Sequence, residues 1–163
     1  MANKNPIEKL DSIDLKILKI LQEDGKITNL QLSKDIGLSP APTLERVKKL
    51  ESSGFVKSYH ALVDEKMLNI GITAFMQIHV NAQSGLNDKN FSKEIEKIPE
   101  IVECYQVTGN ADYLLKIMVC DMSAFDLLVR ERLSRIQSIR QMQTMVVIST
   151  EKNKKVLPYH YGK

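Results

Sequence analysis

The 163-residue sequence predicts an α+β protein in two parts: an N-terminal winged helix-turn-helix and a C-terminal ferredoxin-like βαββαβ domain. Three observations carry this. Apolar residues recur at helical spacing in three short segments before Gly54; the period then changes to two; and from Ile72 the elements run strand, helix, strand, strand, helix, strand. The boundaries read from these patterns are 1–64 for the first domain, with the helix-turn-helix at about 29–48, then 65–71 for a linker, 72–149 for the βαββαβ domain and 150–163 for a basic C-terminal tail.

The first helix is expected over about residues 12–24. Asp11 is its N-cap, Asp14 lies in the first turn where the helix dipole favours negative charge, and Ile13, Ile17, Leu18, Ile20 and Leu21 recur at helical spacing before Gly25. Thr28 followed by Gln31 is a capping-box pattern opening a short helix with Leu32 and Ile36 inward and a stop at Gly37. After a turn of a few residues, Ser39 is the next N-cap. Pro40 takes N1 and Pro42 stays in the first turn, where a missing N–H costs nothing. Ala41, Leu44, Val47 and Leu50 are placed on the inward face of this third helix. Beyond Gly54, the spacing of Phe55, Val56, Tyr59, Ala61 and Val63 suggests a short hairpin or wing.

In the second domain Ile72, Ala74, Met76, Ile78 and Val80 alternate as a strand. Leu86 to Ile98 reads as a helix bearing Phe91, Ile95 and Ile98, stopped before Pro99. Ile101–Thr108 and Tyr113–Cys120 read as strands around a tight turn; Asp121 or Ser123 caps a helix with Phe125, Leu128 and Leu133, and Ile139–Ser149 is the last strand. One sheet is then covered on one side by two helices, and Phe75 on its other face argues that this face is paired. Domains of this size bury a modest share of their surface alone, so a homo-oligomer is expected.

Composition narrows the function classes. With 43% hydrophobic and 26% charged residues the chain is of ordinary globular composition, and no apolar run approaches the roughly 20 residues of a spanning helix. The expectation is a cytoplasmic protein without membrane attachment. Cys104 and Cys120 fall in strands without metal-ligand spacing and are expected buried and reduced. His60, His79 and His160 are widely separated, and Glu94, Glu96 and Glu100 read as solvated helix-face charges. No convergent nucleophile, base or metal set is present, so neither an enzyme nor a cofactor or metal site is expected. The net charge of +3 divides into +1 for residues 1–64, −1 for 65–149 and +3 for 150–163. Any DNA binding therefore rests on local clustering rather than bulk charge.

That clustering lies on and around the third helix. With Leu44, Val47 and Leu50 inward, Pro42, Glu45, Arg46 and Lys49 fall roughly opposite, with Thr43 and Lys48 at the flanks. Small side chains at Ser39, Pro40 and Pro42 let the first turn approach base edges, and Arg46 is long enough to reach guanine acceptors. Lys26, Lys34, Lys48, Lys49 and Lys57 suit phosphates. A solvated helix face has the same charges; the preceding helix, tight turn and wing are what favour double-stranded DNA as the partner. A second constellation is Thr108-Gly109-Asn110-Ala111-Asp112 between two strands. Gly109 and Asn110 tolerate positive φ, so backbone N–H groups there can receive a carboxylate while Asp112 receives an ammonium, as an amino acid requires. The alternative is a plain hairpin turn with Asp112 bonded to backbone. Lys152, Lys154 and Lys155 with Tyr159, His160 and Tyr161 read either as a frayed tail or as extra contacts to DNA or a neighbouring subunit.

These residues resemble the Lrp/AsnC feast/famine transcriptional regulators over nearly the whole chain. The matching residues include Leu10-Asp11, Asp24-Gly25-Lys26-Ile27, Gly37-Leu38-Ser39-Pro40, Leu44-Glu45-Arg46-Val47, Gly109 with Asp112-Tyr113-Leu114-Leu115-Lys116, and Asp121-Met122-Ser123-Ala124. The resemblance implies a sequence-specific, effector-responsive DNA-binding protein, dimerised through its sheets and assembled into octamers or similar rings. It implies amino-acid effectors in clefts between dimers, lined by Thr108 to Asp112 and by Met122, Thr144, Met145, Val146 and Val147. Asn110 stands where an acidic residue is common in the family, and Met145 where an aromatic one is frequent. The competing expectation is an architectural protein that coats DNA without an effector.

Overall fold

The computed structural model describes residues 10–81, 89–154 and 156–158. Its helices are α1 (Ser12–Glu23), α2 (Asn29–Ile36), α3 (Pro40–Ser52), α4 (Lys89–Glu96) and α5 (Met122–Glu131), and its strands β1 (Ile72–Val80), β2 (Ile101–Gln106), β3 (Tyr113–Val119) and β4 (Ile139–Val146). They fall into two compact units. One holds the described residues up to Leu62 together with those from Lys152 onward, and the other holds Val63–Glu151. The residues read as a separate tail thus belong with the N-terminal unit: the Leu157 N–H donates to Gln22 Oε1 on α1 at 2.8 Å. Lys155, Tyr159, His160 and Tyr161 lie outside the described residues.

The first unit is built on capped helices. The Asp14 N–H donates to Asp11 Oδ1 (2.8 Å) and the Asp11 N–H to Asp14 Oδ2 (3.5 Å), closing a capping box on α1. Thr28 Oγ1 accepts from the Gln31 N–H at 3.1 Å, while the Gln31 amide turns to Asp35 at 2.8 Å, so its side chain leaves the expected box. Gly37 ends α2 in the left-handed region at φ +77°. Ile17, Leu32, Ile36 and Leu50 form the core, joined by Ile13, Leu21, Val47, Phe55 and Val56. Full burial of each large side chain contributes about 1.5–3 kcal/mol.

Two expectations fail here. First, α3 is turned: Thr43 is fully buried, whereas Ala41 is exposed and Leu44 is 42% exposed. Thr43, Val47 and Leu50 are as regular a helical stripe as the expected one, and the Thr43 hydroxyl can be buried because it donates to the Ser39 carbonyl at 2.9 Å. Second, the expected wing strands are absent: residues 55–64 carry no strand pairing among the described residues. Three of these residues bond to α3 instead. The N–H groups of Phe55 and Val56 both donate to the Leu50 carbonyl, and the Tyr59 hydroxyl donates to Glu51 at 2.9 Å.

The second unit is an antiparallel sheet of order β2-β3-β1-β4, which is the ferredoxin-like arrangement. Met76, Ile78 and Val80 of β1 and Tyr113, Leu115, Ile117 and Val119 of β3 bury their side chains against Phe91, Ile95 and Leu128 of the helices. Residues 86–88 of the expected α4 start lie outside the described residues. Both cysteines are exposed, contrary to expectation. Cys104 sits on an edge strand and Cys120 just past the end of β3, where little chain covers them. The face away from the helices carries Phe75, Gln77 and His79 beside Leu114 and Lys116 on one side and Met145, Gln143 and Gln141 on the other.

Candidate nucleic-acid interface and ligand loop

The outward surface of α3 follows from its first turn. Ser39 is the N-cap by position, yet its side chain makes no capping bond. Prolines at N1 and N3 remove the N3 donor that a capping serine ordinarily serves, so the hydroxyl stays uncommitted to the helix. Ser39, Pro40, Ala41 and Pro42 are all exposed, followed on the same surface by Leu44, Glu45 and Lys48. Asn29 of α2 donates to the Pro40 carbonyl at 2.8 Å, fixing the turn between the two helices. Lys26, Lys34 and Lys57 are exposed; Lys48 lies 3.4 Å from Glu45 and Lys49 lies 3.8 Å from Asp14.

Arg46 does something other than project outward. Its Nη1 donates to Asp11 Oδ2 at 2.7 Å and to Asp14 Oδ1 at 2.6 Å, and the Asp14 side chain is only 2% exposed. Reaching a guanine would require breaking both bonds and leaving a buried carboxylate with less compensation. The bond from the Asp14 N–H, together with the Arg46 guanidinium, holds the Asp11 carboxyl below its usual range. The two acids in turn raise the guanidinium. The signal was in the sequence: Asp14 shares the apolar stripe of Ile17 and Leu21 at helical spacing, and a carboxylate there demands a cation.

The loop between β2 and β3 closes with the Val107 N–H donating to the Asp112 carbonyl at 3.0 Å. Gly109 alone takes positive φ, at +111°; Asn110 does not. Thr108, Gly109 and Asn110 are exposed and Ala111 is buried. Asp112 Oδ2 accepts from the Val80 N–H at 2.9 Å, and the Asp112 N–H donates to the Ile78 carbonyl, so this carboxylate fastens the loop to the end of β1. The rest of the expected ligand set lies elsewhere. Met145 and Val146 pair with Phe75 and Ala74 near the start of β1, Thr144 pairs with Met76, and Met122 begins α5. Val80 and Ala74 are six residues apart on one strand, about 20 Å. One chain therefore does not bring the two groups together.

Glu100 also departs from expectation. It lies outside α4, and its Oε2 is buried without a hydrogen-bond partner among the described residues. Glu94, by contrast, pairs with Lys97 at 2.5 Å as a surface charge does. Among the described residues no group of three or more His, Cys, Asp or Glu is placed to hold a metal, and no helix is long and apolar enough to cross a membrane.

Residues 10–57 match the model of a winged helix-turn-helix DNA-binding domain, and residues 73–157 match that of the Lrp/AsnC ligand binding domain. The leucine-responsive regulatory protein of Escherichia coli K12 is 42% identical over 151 residues, covering 93% of this chain and 92% of the relative. The chain belongs to the Lrp/AsnC family of transcriptional regulators. Its relative from Serratia marcescens, of the same name, shows the same identity and coverage. Among solved structures, a transcriptional regulator of Neisseria meningitidis in complex with L-Met superposes with a TM-score of 0.88 at 36% identity, over 91% of this chain and 96% of that one. An AsnC family regulator of Agrobacterium tumefaciens gives 0.86 at 34% identity, over 91% and 97%. The Lrp/AsnC resemblance and the α+β architecture are thus borne out, and the relatives are DNA-binding regulators rather than enzymes.

Proposed function

We propose that this Lrp/AsnC chain reads double-stranded DNA with the outward face of α3 and senses an amino acid at the Thr108–Asp112 loop of an oligomer. The observation that carries the DNA reading is the composition of that face. A first turn of exposed Ser39, Pro40, Ala41 and Pro42 permits close approach to base edges, and exposed Leu44 is suited to thymine methyl groups. Lys26, Lys48, Lys49 and Lys57 take phosphates, and Ser39 offers them a hydroxyl. Thr43 is buried and acts by holding the helix start, while Arg46 seats α3 on α1.

The effector reading rests on the loop and on the relatives. Those proteins are named for leucine response or were solved with L-Met, which favours an apolar amino acid. The loop supplies exposed backbone at Gly109 and Asn110 and the Asp112 carboxylate. Met145 and Val146 pair near the other end of β1, Thr144 at its middle, and Met122 begins α5, so a site using both groups draws on a second copy. Dimers through the open sheet faces, assembling to an octamer or similar ring, provide that second copy.

The test starts from duplexes selected out of a random pool. Lys48→Ala lowers affinity for every duplex and flattens the log–log salt dependence by about 0.9. Leu44→Ala changes the preference at thymine positions, and replacing those thymines by uracil weakens the unmodified protein but not the variant. Uniform footprints on every duplex, with both variants behaving alike, establish the architectural alternative instead. L-Leucine or L-methionine at about a hundredfold over its Kd stabilises the folded protein by about 2.7 kcal/mol. Absence of any shift across the twenty amino acids removes the effector half of the reading.

A further inference from the structure

The end of the sheet opposite the ligand loop holds a cavity of about 540 Å³, between α5 and the bend at residues 68–70 that leads into β1. Its volume lies inside the range of about 300–1,000 Å³ typical of small-molecule sites. Leu68, Ile70, Leu127 and Leu128 form an apolar wall, and Leu68 and Leu127 each expose more than half their surface there. Three charged residues share the lining: Glu100, just before β2, Glu131 at the end of α5, which is paired with Arg135, and Arg132, just after α5.

Neither Glu100 Oε2 nor Arg132 has an ionic partner among the described residues. Glu100 Oε2 is buried with no partner among the described residues, an arrangement that leaves a desolvated acceptor uncompensated. Arg132 forms no ion pair among the described residues, because neighbouring Glu131 is taken by Arg135. A carboxylate and a guanidinium beside one apolar wall are the complement of a small zwitterion with an apolar body. We infer that this cavity is a second small-molecule site, whose ligand places an ammonium on Glu100, a carboxylate on Arg132 and its apolar part against the leucine and isoleucine wall. The Thr108–Asp112 loop lies at the other end of the β2–β3 hairpin, about 20 Å away over six residues, so a substitution at Asp112 leaves this lining untouched.

The experiment uses the full chain labelled at isoleucine, leucine and methionine methyls, with L-leucine, L-methionine, 3-methylbutylamine and 4-methylpentanoate as probes. L-Leucine or L-methionine is expected to shift the methyl resonances of Ile70, Leu127 and Leu128. The amine, lacking the carboxylate, and the acid, lacking the ammonium, each bind about tenfold or more weakly. Glu100→Gln and Arg132→Gln each weaken the amino acid by a similar factor at unchanged melting temperature, whereas Asp112→Asn leaves these shifts in place. Shifts confined to the region of Thr108–Asp112 and Met145, or wall methyls that stay unmoved in large excess of both amino acids, overturn the assignment. So does equal binding of the truncated probes. Failure of this assignment leaves the loop site standing, because Asp112→Asn tests that site separately.

Discussion

Arg46 has two possible uses, and they leave different traces. As a reader of guanine it would contribute nothing to stability, and its loss would change base preference at one position. As the clamp seen here it neutralises a carboxylate with a 2% exposed side chain and ties α3 to α1. Arg46→Ala is therefore expected to destabilise the N-terminal unit by about 2–3 kcal/mol, since hydrogen bonds to charged groups and buried ion pairs are costly to break from one side. Urea unfolding measures the loss, and DNA affinity should fall for all sequences in step with the folded fraction. A variant of normal stability with altered base preference would return Arg46 to the DNA. The same cluster gives a pH signature. The folded-state pKa of Asp11 lies below its ordinary 3.8, first because the Asp14 N–H bonds its carboxylate and then because Arg46 does. A depressed pKa stabilises the fold above the unfolded value and loses that contribution as pH falls through the folded one. Asp11→Asn should thus lower the urea midpoint at pH 7, and the difference from the unmodified protein should close in acid below 3.8.

The elements were legible wherever periodicity and caps agreed. Asp11, Thr28 and Asp121 all cap the helices assigned to them, and the alternation of β1 and β3 alone was enough to orient the sheet. Legibility failed where two regular stripes compete on one helix. In α3 both Ala41-Leu44-Val47 and Thr43-Val47-Leu50 are helical, and the choice was made by a partner on another helix, Asp14. It failed again at residues 55–64, where alternation exists but Phe55, Val56 and Tyr59 bond to α3 and no strand pairs within the chain among the described residues. The ligand loop was half readable: its glycine adopts the positive φ expected, but the carboxylate of Asp112 bonds Val80 on the neighbouring strand β1, which no local pattern announces. Gly109 supplies a test at this scale. At φ +111°, with nothing within 4 Å of a Cβ built there, the cost of a side chain is purely conformational. Gly109→Ala should destabilise the second unit by about 1–2 kcal/mol in thermal unfolding, without perturbing the packed core. An unchanged melting temperature would show that the loop relaxes freely and is no fixed cradle for a ligand.

Neither unit is large, and a domain of about 60 residues removes only about 60% of its unfolded surface from water. The second unit also leaves one sheet face uncovered by its own helices, with Phe75 flanked across the strands by Lys116 and Met145. Lys116 is partly neutralised by Glu103 at 3.3 Å, and Tyr105 donates to the same carboxylate at 2.7 Å. Charge on this face is therefore satisfied internally, which leaves its apolar members available to a second copy without a desolvation penalty for an unpaired lysine. Phe75→Glu places a new carboxylate at the centre of the face, and two copies would bring two such charges together. Sedimentation should then show a fall in mass toward the monomer, and the melting temperature should become independent of protein concentration. The DNA consequence is geometric. Two recognition helices held about 34–36 Å apart engage successive major grooves, so Phe75→Glu should weaken binding to paired half-sites far more than to an isolated half-site. A variant that keeps both its mass and its preference for paired sites would assign assembly to another surface of the chain, and would leave the open face of the sheet without a partner.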